Sequence, residues 1–369
     1  MKLQEILIKN QKSKIKVSDA LFDGNYPFFT SGEKQKRLDE YLCDGKNIFI
    51  ATGGKANFKY YEGKASYSTD CLSLKTSELA DTKYIFYFLL SKKEQINKEM
   101  FLGAALKHLQ KKQFENIDIT LPSLPEQKRI VAKLDKAFAE IDKAITITEK
   151  EKNNCPLLFQ KILSSLINKI SKNQTSLELG EIAKFLDYRG KTPKKSDEGI
   201  RLLTAKNVRM GFLKKQPEEF VSKAEYVNHM TRGFPKAGDV IFTTEAPLAL
   251  VSQIEDDSCA LGQRLITFQI MNNVIKNAYL KFILMSEIYQ KIINDNGTGA
   301  TVKGIKASLL KKIILSFPTS IDEQKNRVAI IEDAERNCNQ LQICYANKIS
   351  ALLSLKTAIL KKELQSEAA

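Results

Sequence analysis

Histidine is nearly missing from this 369-residue sequence, and cysteine is sparse and scattered. His108 and His229 stand apart from each other and from any candidate nucleophile or metal-ligand cluster. The cysteines at 43, 71, 155, 259, 338 and 344 form no Cys-x-x-Cys pair. These absences argue against a zinc site or a disulfide framework and fit a reduced, cytoplasmic setting. No apolar run reaches the ~18 residues that span a bilayer, so no membrane is expected as a partner. The N-terminal stretch MKLQEILIKNQKSK has no apolar core or cleavage site of the signal-peptide kind.

Catalytic and cofactor motifs are missing too. Gly190-Lys191-Thr192 resembles the end of a phosphate-binding loop, but Phe185 stands where that loop needs glycine. Pro193 follows at once, where the phosphate-cradling helix should begin. Gly53-Gly54-Lys55 is a tight turn without the G-x-G-x-x-G pattern. No Asp/Asn-Pro-Pro-aromatic tetrapeptide marks an amino-methyltransferase site. Asp44 with Glu62-Gly63-Lys64 loosely echoes a metal nuclease, a triplet that arises readily by chance. The sequence therefore shows no catalytic centre, no cofactor site and no metal-ligand set.

What it does contain is an internal repeat. Leu121-Pro122-Ser123-Leu124-Pro125-Glu126-Gln127-Lys128 returns as Phe317-Pro318-Thr319-Ser320-Ile321-Asp322-Glu323-Gln324-Lys325. Upstream, Gly103-Ala104-Ala105-Leu106-Lys107 matches Gly299-Ala300-Thr301-Val302-Lys303, and YIFYFLLS (84–91) matches YLKFILMS (279–286). Phe28-Phe29-Thr30 matches Leu202-Leu203-Thr204, and Leu3-x-Glu5-Ile6 matches Leu179-x-Glu181-Ile182. The blocks keep their order while their offset drifts, as loop insertions would produce. A long repeat sets the architecture before any local motif does.

The predicted class is α+β, with four segments. Residues 1–123 and 175–318 read as mixed α/β domains, each followed by a helical segment, 124–174 and 319–369. Strand-like runs fall at 26–30, 47–52 and 65–74, and again at 200–204, 239–244 and 261–270, bounded by turn residues. Helices are expected at 81–100 and near 277–294. The later segments have apolar residues at spacings of three and four, the pattern of a coiled-coil seam. The first seam reads Ile130, Leu134, Ala137, Ile141, Ile145 and Thr148, with Leu158, Ile162, Leu166 and Ile170 continuing past Pro156. Proline lacks a donor and clashes with the preceding turn, so a kink or restart is expected there. The second seam reads Ile331, Ala334, Cys338, Leu341, Tyr345, Lys348, Leu352, Leu355 and Ile359. Neither helix is apolar enough to stand alone. Mutual antiparallel packing about a pseudo-twofold axis, with the α/β domains at opposite ends of a rod, is the economical arrangement.

The net charge of +15 is spread over every segment but the last, with residues 124–174 carrying 10 basic against 6 acidic side chains. Residues 1–123 carry 20 basic against 15 acidic side chains and residues 175–318 carry 21 against 15, while 319–369 balance at seven each. A basic globular surface suits a polyanion, because each neutralised phosphate releases counterions. Loop side chains that donate to phosphates and read base edges complete that picture. In the first domain the candidates are Thr30, Ser31, Thr52, Lys55, Tyr60, Tyr61 and Lys107. In the second they are Tyr188, Arg189, Lys191, Lys206, Asn207, Arg209, Gln263, Arg264 and Lys303.

On 121–135 and its copy 317–331, the chain resembles the specificity subunit of a type I restriction-modification system. Tyr188-Arg189-Gly190-Lys191-Thr192-Pro193 and the Gly299–Ile305 stretch are similar to recurrent elements of that family, and the resemblance spans essentially the whole chain. It implies two target-recognition domains, each reading one half of a split double-stranded DNA target. It further implies paired helices that set the gap between the halves and dock two modification subunits. Those subunits hold S-adenosylmethionine and methylate adenine, and restriction subunits with ATP-driven translocation join the assembly. The chain itself would hold neither active site nor cofactor. Because the loops of the two domains differ, the half-sites should differ. A different class of reading remains open: a coiled-coil scaffold joining two protein-binding modules, without DNA specificity.

Overall fold

The structure, a computed structural model, describes residues 1–299 and 301–365; Ala300, inside the second glycine motif, lies outside the described residues. The chain forms two compact units, residues 1–150 with those from Ala346 on, and Glu151–Tyr345. The first unit runs through β1 (Leu7–Lys9), β2 (Tyr26–Phe29), β3 (Lys36–Leu38), β4 (Lys46–Ala51), β5 (Phe58–Glu62), β6 (Ser66–Tyr67) and β7 (Cys71–Thr76). There follow α1 (Thr82–Ser91), α2 (Lys93–Glu99), the short strands β8 (Phe101–Leu102) and β9 (His108–Leu109), α3 (Lys111–Glu115) and the start of α4 (Leu124–Asn168). The second unit takes the rest of α4, then β10 (Gln174–Glu178), α5 (Leu179–Ile182), β11 (Ala183–Asp187), β12 (Lys195–Ser196) and β13 (Ile200–Leu203). It continues through β14 (Phe220–Val221), α6 (Lys223–His229), β15 (Val240–Thr243), β16 (Val251–Gln253), β17 (Cys259–Leu261) and β18 (Leu265–Ile270). Last come α7 (Asn277–Met285), α8 (Glu287–Asp295), α9 (Ala307–Lys311), β19 (Ile314–Pro318) and α10 (Ile321–Gln365), whose final turns belong to the first unit.

The repeat is visible in the sheets. The first unit has an antiparallel sheet of order β1-β7-β4-β5, and the second has β11-β18-β15-β16. Beside each lies a smaller sheet with one parallel pair. In the first unit it is β3-β2-β6, with Phe28 opposite Ser66; in the second it is β12-β14-β13-β17, with Leu202 opposite Ala260. The expected strands 65–74 and 261–270 are therefore each two strands. The chain leaves the small sheet after β6 or β17 and enters the large one at β7 or β18. Residues 68–70 and 262–264 form the two crossings. The expected helix 81–100 is likewise divided at Lys92, and the helix near 277–294 at Ser286.

Apolar side chains from the large sheets and following helices form each core. Ile48, Ile50 and Leu74 pack with Tyr84, Ile85 and Leu89 in the first unit. Phe242, Ile266 and Phe268 pack with Leu280, Ile283 and Leu284 in the second. The small sheets make separate clusters around Phe29, Phe49 and Tyr67, and around Leu203, Ile241 and Leu261.

The long helices pack antiparallel within each unit. Ile130, Leu134 and Phe138 of α4 share the first core with Leu360 of α10. Lys133 pairs with Glu363 at 2.7 Å, and Lys356 with Asp142 at 2.7 Å. In the second unit Cys155, Phe159, Leu163 and Ile167 of α4 meet Ile331 and Cys338 of α10. Each such buried side chain contributes roughly 1.5–3 kcal/mol.

Two expectations about the helices are corrected. Of the kink or restart expected at Pro156, the restart is absent, and α4 runs as one helix from Leu124 to Asn168. Proline removes one donor to the Lys152 carbonyl, and contacts of the flanking Cys155 and Phe159 hold the backbone helical. The inward positions after Pro156 are Phe159, Leu163 and Ile167, whereas Leu158 and Ile170 face solvent. In α10, Ile331, Cys338, Tyr345, Leu352 and Ile359 turn inward to differing extents, but Leu341, Lys348 and Leu355 are exposed. Their places are taken by Gln342, Ile349 and Lys356. Among the described residues α10 alone is long and apolar enough by length and composition to cross a bilayer, a test that helices of soluble proteins also pass.

Candidate nucleic-acid interface

The crossings between sheets assemble a loop cluster in each unit. In the second unit the crossing 262–264 lies against the end of β15. Thr244 donates its backbone N–H to the Arg264 carbonyl at 3.0 Å and its hydroxyl to the same oxygen at 3.3 Å. Its own carbonyl accepts the N–H of Ile305 at 3.0 Å, which brings in residues 301–306. A cleft of about 330 Å³ results, lined by Arg189, Thr244, Glu245, Gln263, Arg264 and Lys306 among others. A second cleft of about 220 Å³ shares Gln263 and Arg264 and extends the surface to Thr192, Lys195, Thr204 and Lys206.

The first unit repeats the bonding. Thr52 donates its N–H and its hydroxyl to the Asp70 carbonyl, both at 2.9 Å, and its carbonyl accepts the Leu109 N–H at 3.0 Å. Gly53 bridges His108 as Glu245 bridges Gly304. The loop closing this side depends on glycine in both copies. Gly103 and Gly299 have φ of +145° and +116°, and a Cβ there would lie 2.3 and 2.2 Å from the carbonyl oxygens of Leu106 and Val302.

Of the sequence candidates, Arg189, Gln263 and Arg264 meet in one cleft, and Lys206 lies on the neighbouring one. Arg189 is held by Asp187 through Nε at 2.8 Å and Nη2 at 2.6 Å. Burial disfavours the charged Asp187 carboxylate, but the Arg189 hydrogen bonds outweigh it and keep that carboxyl below its usual range. Lys191 donates to the Thr231 hydroxyl at 2.9 Å. Lys303 is exposed within residues 301–306. Thr30, Ser31, Thr52, Lys55 and Lys107 gather around the first crossing. The Ser31 hydroxyl donates to the Asp70 carbonyl at 2.7 Å, and Lys59 Nζ donates to the Thr30 carbonyl at 3.1 Å. Lys55 reaches Glu33 at 3.1 Å, and the Lys107 carbonyl accepts the Gly54 N–H at 2.8 Å.

Four candidates are engaged within the fold, and two of them, Asn207 and Tyr188, are buried. Asn207 is fully buried, and both ends of its amide are used: Oδ1 accepts from the N–H and hydroxyl of Thr204, and Nδ2 donates to the Lys214 and Pro217 carbonyls. Tyr188 is a core residue whose hydroxyl donates to the Gly233 carbonyl at 2.7 Å. Arg209 donates to the carbonyls of Lys206 and Val208, closing its own turn. Tyr60 faces α1, its ring 5.9 Å from Phe86 and its hydroxyl 3.2 Å from Glu62; burial pushes that hydroxyl's pKa up. Tyr61, on the opposite face of β5, packs on Phe29. Sequence reasoning missed Asp70, His108, Thr192, Lys195, Thr244, Glu245 and Lys306. Aligning 65–74 with 261–270 inside the repeat was the signal that could have found Asp70.

A duplicated α+β frame on paired helices, with an unlike loop cluster in each copy, is the form of a two-part recognition protein. The model of the type I restriction modification DNA specificity domain matches residues 1–154 and again 161–349, and the chain belongs to that family. It is similar to the type I restriction enzyme MjaVIII specificity subunit of Methanocaldococcus jannaschii, 26% identical over 86% of this chain and 81% of that protein. The EcoKI specificity subunit of Escherichia coli K12 is 21% identical over 85% of this chain and 71% of its own length. Among solved structures, a chain from a study of type I restriction-modification assembly superposes with a TM-score of 0.75 at 17% identity, covering 99% of this chain and 96% of that one. The HsdS subunit of Thermoanaerobacter tengcongensis gives 0.59 at 15% identity, covering 99% and 95%. The chain is a specificity subunit, the non-catalytic member of its system.

Proposed function

We propose that the chain reads a split, asymmetric target in double-stranded DNA, one part with each α+β domain, taking 1–123 and 175–318 as the recognition domains. It docks two modification subunits for adenine methylation, and restriction subunits for cleavage. The observation that carries this reading is the pair of equivalent loop clusters with different side chains on one frame. Equivalent placement supplies two reading heads, and unlike side chains supply two sequences. Exposed apolar side chains of α10 in the first unit, Leu353 and Leu355, support docking, since exposed apolar residues mark interaction surfaces. Within this reading we assign the DNA-binding assembly to the cytoplasm.

A genome-wide adenine methylation map of the source cell, with and without this gene, tests the reading. Loss of one two-part asymmetric motif is the expected result. A cell that carries active modification partners yet shows an unchanged map would sink it and favour a scaffold.

A further inference from the structure

Asp70 and Arg264 occupy the same place in the two copies. Each closes the crossing from the small sheet to the large one, and each gives its carbonyl to the N–H and hydroxyl of a threonine, Thr52 or Thr244. The side chains have opposite hydrogen-bonding polarity: a carboxylate only accepts, and a guanidinium only donates. Resting on the reading above, we propose that Asp70 and Arg264 are the equivalent specificity-determining residues of the two domains. Arg264 reads a guanine, and Asp70 reads the exocyclic amine of a cytosine or adenine.

Three observations separate Arg264 from a bystander or a phosphate contact. First, its backbone sits at φ +71°, in the left-handed region that suits glycine. An arginine kept there at a conformational cost points to a use for the side chain. Second, the side chain is about half exposed, at 49%, and lines both clefts. Third, Glu245 lies 3.0 Å from its Nε. That carboxylate would repel a phosphate, yet it fixes the guanidinium plane from the Nε side. Among the described residues no hydrogen bond engages Nη1 or Nη2, so these remain for the O6 and N7 acceptors of guanine.

Asp70 is the complementary case. A carboxylate beside a phosphate is unfavourable, so an acidic residue in a basic DNA-facing cluster is better placed against a base amine. Its carboxylate accepts from the Ser68 hydroxyl through Oδ1, which sets its orientation. Lys59, anchored on the Thr30 and Gly32 carbonyls, contributes positive charge nearby.

The test uses the full chain assembled with its modification subunits. Methylation motifs and binding to duplexes varied one base at a time are measured for wild type, Arg264→Ala, Arg264→Lys and Asp70→Asn. Arg264→Ala should lose discrimination of about 10- to 100-fold at one guanine, leaving the other half-site unchanged. Arg264→Lys keeps the charge but not the two-pronged fork, so it should show the same loss at that guanine while retaining overall affinity. Asp70→Asn should alter one cytosine or adenine position in the other half-site. Equal weakening on every duplex, with Arg264→Lys behaving as wild type, identifies a phosphate contact and overturns the assignment. Unchanged motifs in the assembled variants overturn it as well. If the wild-type assembly itself shows no split motif, the proposed function has failed, a result distinguishable from failure of these two residues alone.

Discussion

Gln127 and Gln324 do the same work in the two copies of the repeated motif. Each is fully buried. The Gln127 side chain accepts the N–H of Asp81 at 2.8 Å and donates to the carbonyls of Leu79 and Pro122. The Gln324 side chain accepts the N–H of Lys276 at 2.9 Å and donates to those of Val274 and Pro318. Each glutamine thus pins the loop before α1 or α7 to the start of a long helix. Gln324→Ala removes a partner from three backbone groups, the Pro318 carbonyl in a buried bond and the Lys276 N–H and Val274 carbonyl in part-buried ones, at ~1–3 kcal/mol for each one left dry. With water entering part of the gap, we expect the second unit to lose about 2–4 kcal/mol in chemical denaturation. A loss below about 0.5 kcal/mol would show that the latch is not structural. The sequence displayed this motif as a repeated helix start. It could not display the latch, because the carbonyls and N–H groups that Gln324 satisfies are about 50 residues upstream or across a turn. Asn207 misled for the same reason: an amide in a polar loop looks available until the fold supplies its partners.

At the level of elements, the paired helices were legible in outline and misread in detail. The heptad carrying Ile331, Cys338, Tyr345, Leu352 and Ile359 was placed correctly, and its companion row was one residue off. Leucine at 341 and 355 drew the assignment, yet both face outward. The true row includes Lys356, whose ammonium sits over the Phe138 ring, 4.8 Å from its centroid, and pairs with Asp142. Long charged side chains cover apolar surface while their heads stay wet, so a hydrophobicity pattern alone skips them. The sheet crossings were missed because 65–74 and 261–270 read as unbroken strand runs. Only pairing with two different sheets reveals the break. The two faces of α10 predict separable phenotypes. Leu360→Asp puts a charge into the first core beside Ile130, Leu134 and Phe138, and should cost 3 kcal/mol or more in denaturation (roughly). Leu353→Asp with Leu355→Asp should leave stability within about 1 kcal/mol while weakening capture of modification subunits in a pull-down or titration. Full capture by the folded double variant would remove Leu353 and Leu355 from the docking surface.

For the molecule as a whole, duplication separates what the chain repeats from what it varies. The sheet orders, the Thr52 and Thr244 anchors, the Gly103 and Gly299 turns and the Gln latches recur. The crossing side chains do not. A frame held constant lets the loops diverge, because the backbone groups at the crossing are satisfied whatever side chain stands there. Charge is divided as well: the two domains carry +11 of the +15 excess, residues 124–174 the other +4, and the last segment is neutral. Sequence-independent attraction should therefore come from lysines around the clefts, such as Lys107, Lys206 and Lys306, and base choice from the crossings. The two contributions respond differently to salt. With about six phosphate contacts, affinity of the assembled complex for its target should fall about 10³-fold between 50 and 200 mM salt. Lys206→Ala or Lys306→Ala should lower the slope of log K against log salt by about one unit each, equally on cognate and unrelated DNA. Arg264→Ala should instead change the ratio between cognate and unrelated DNA and leave that slope nearly unaltered. A flat salt response in wild type would mean that the basic surface of the domains serves something other than a polyanion.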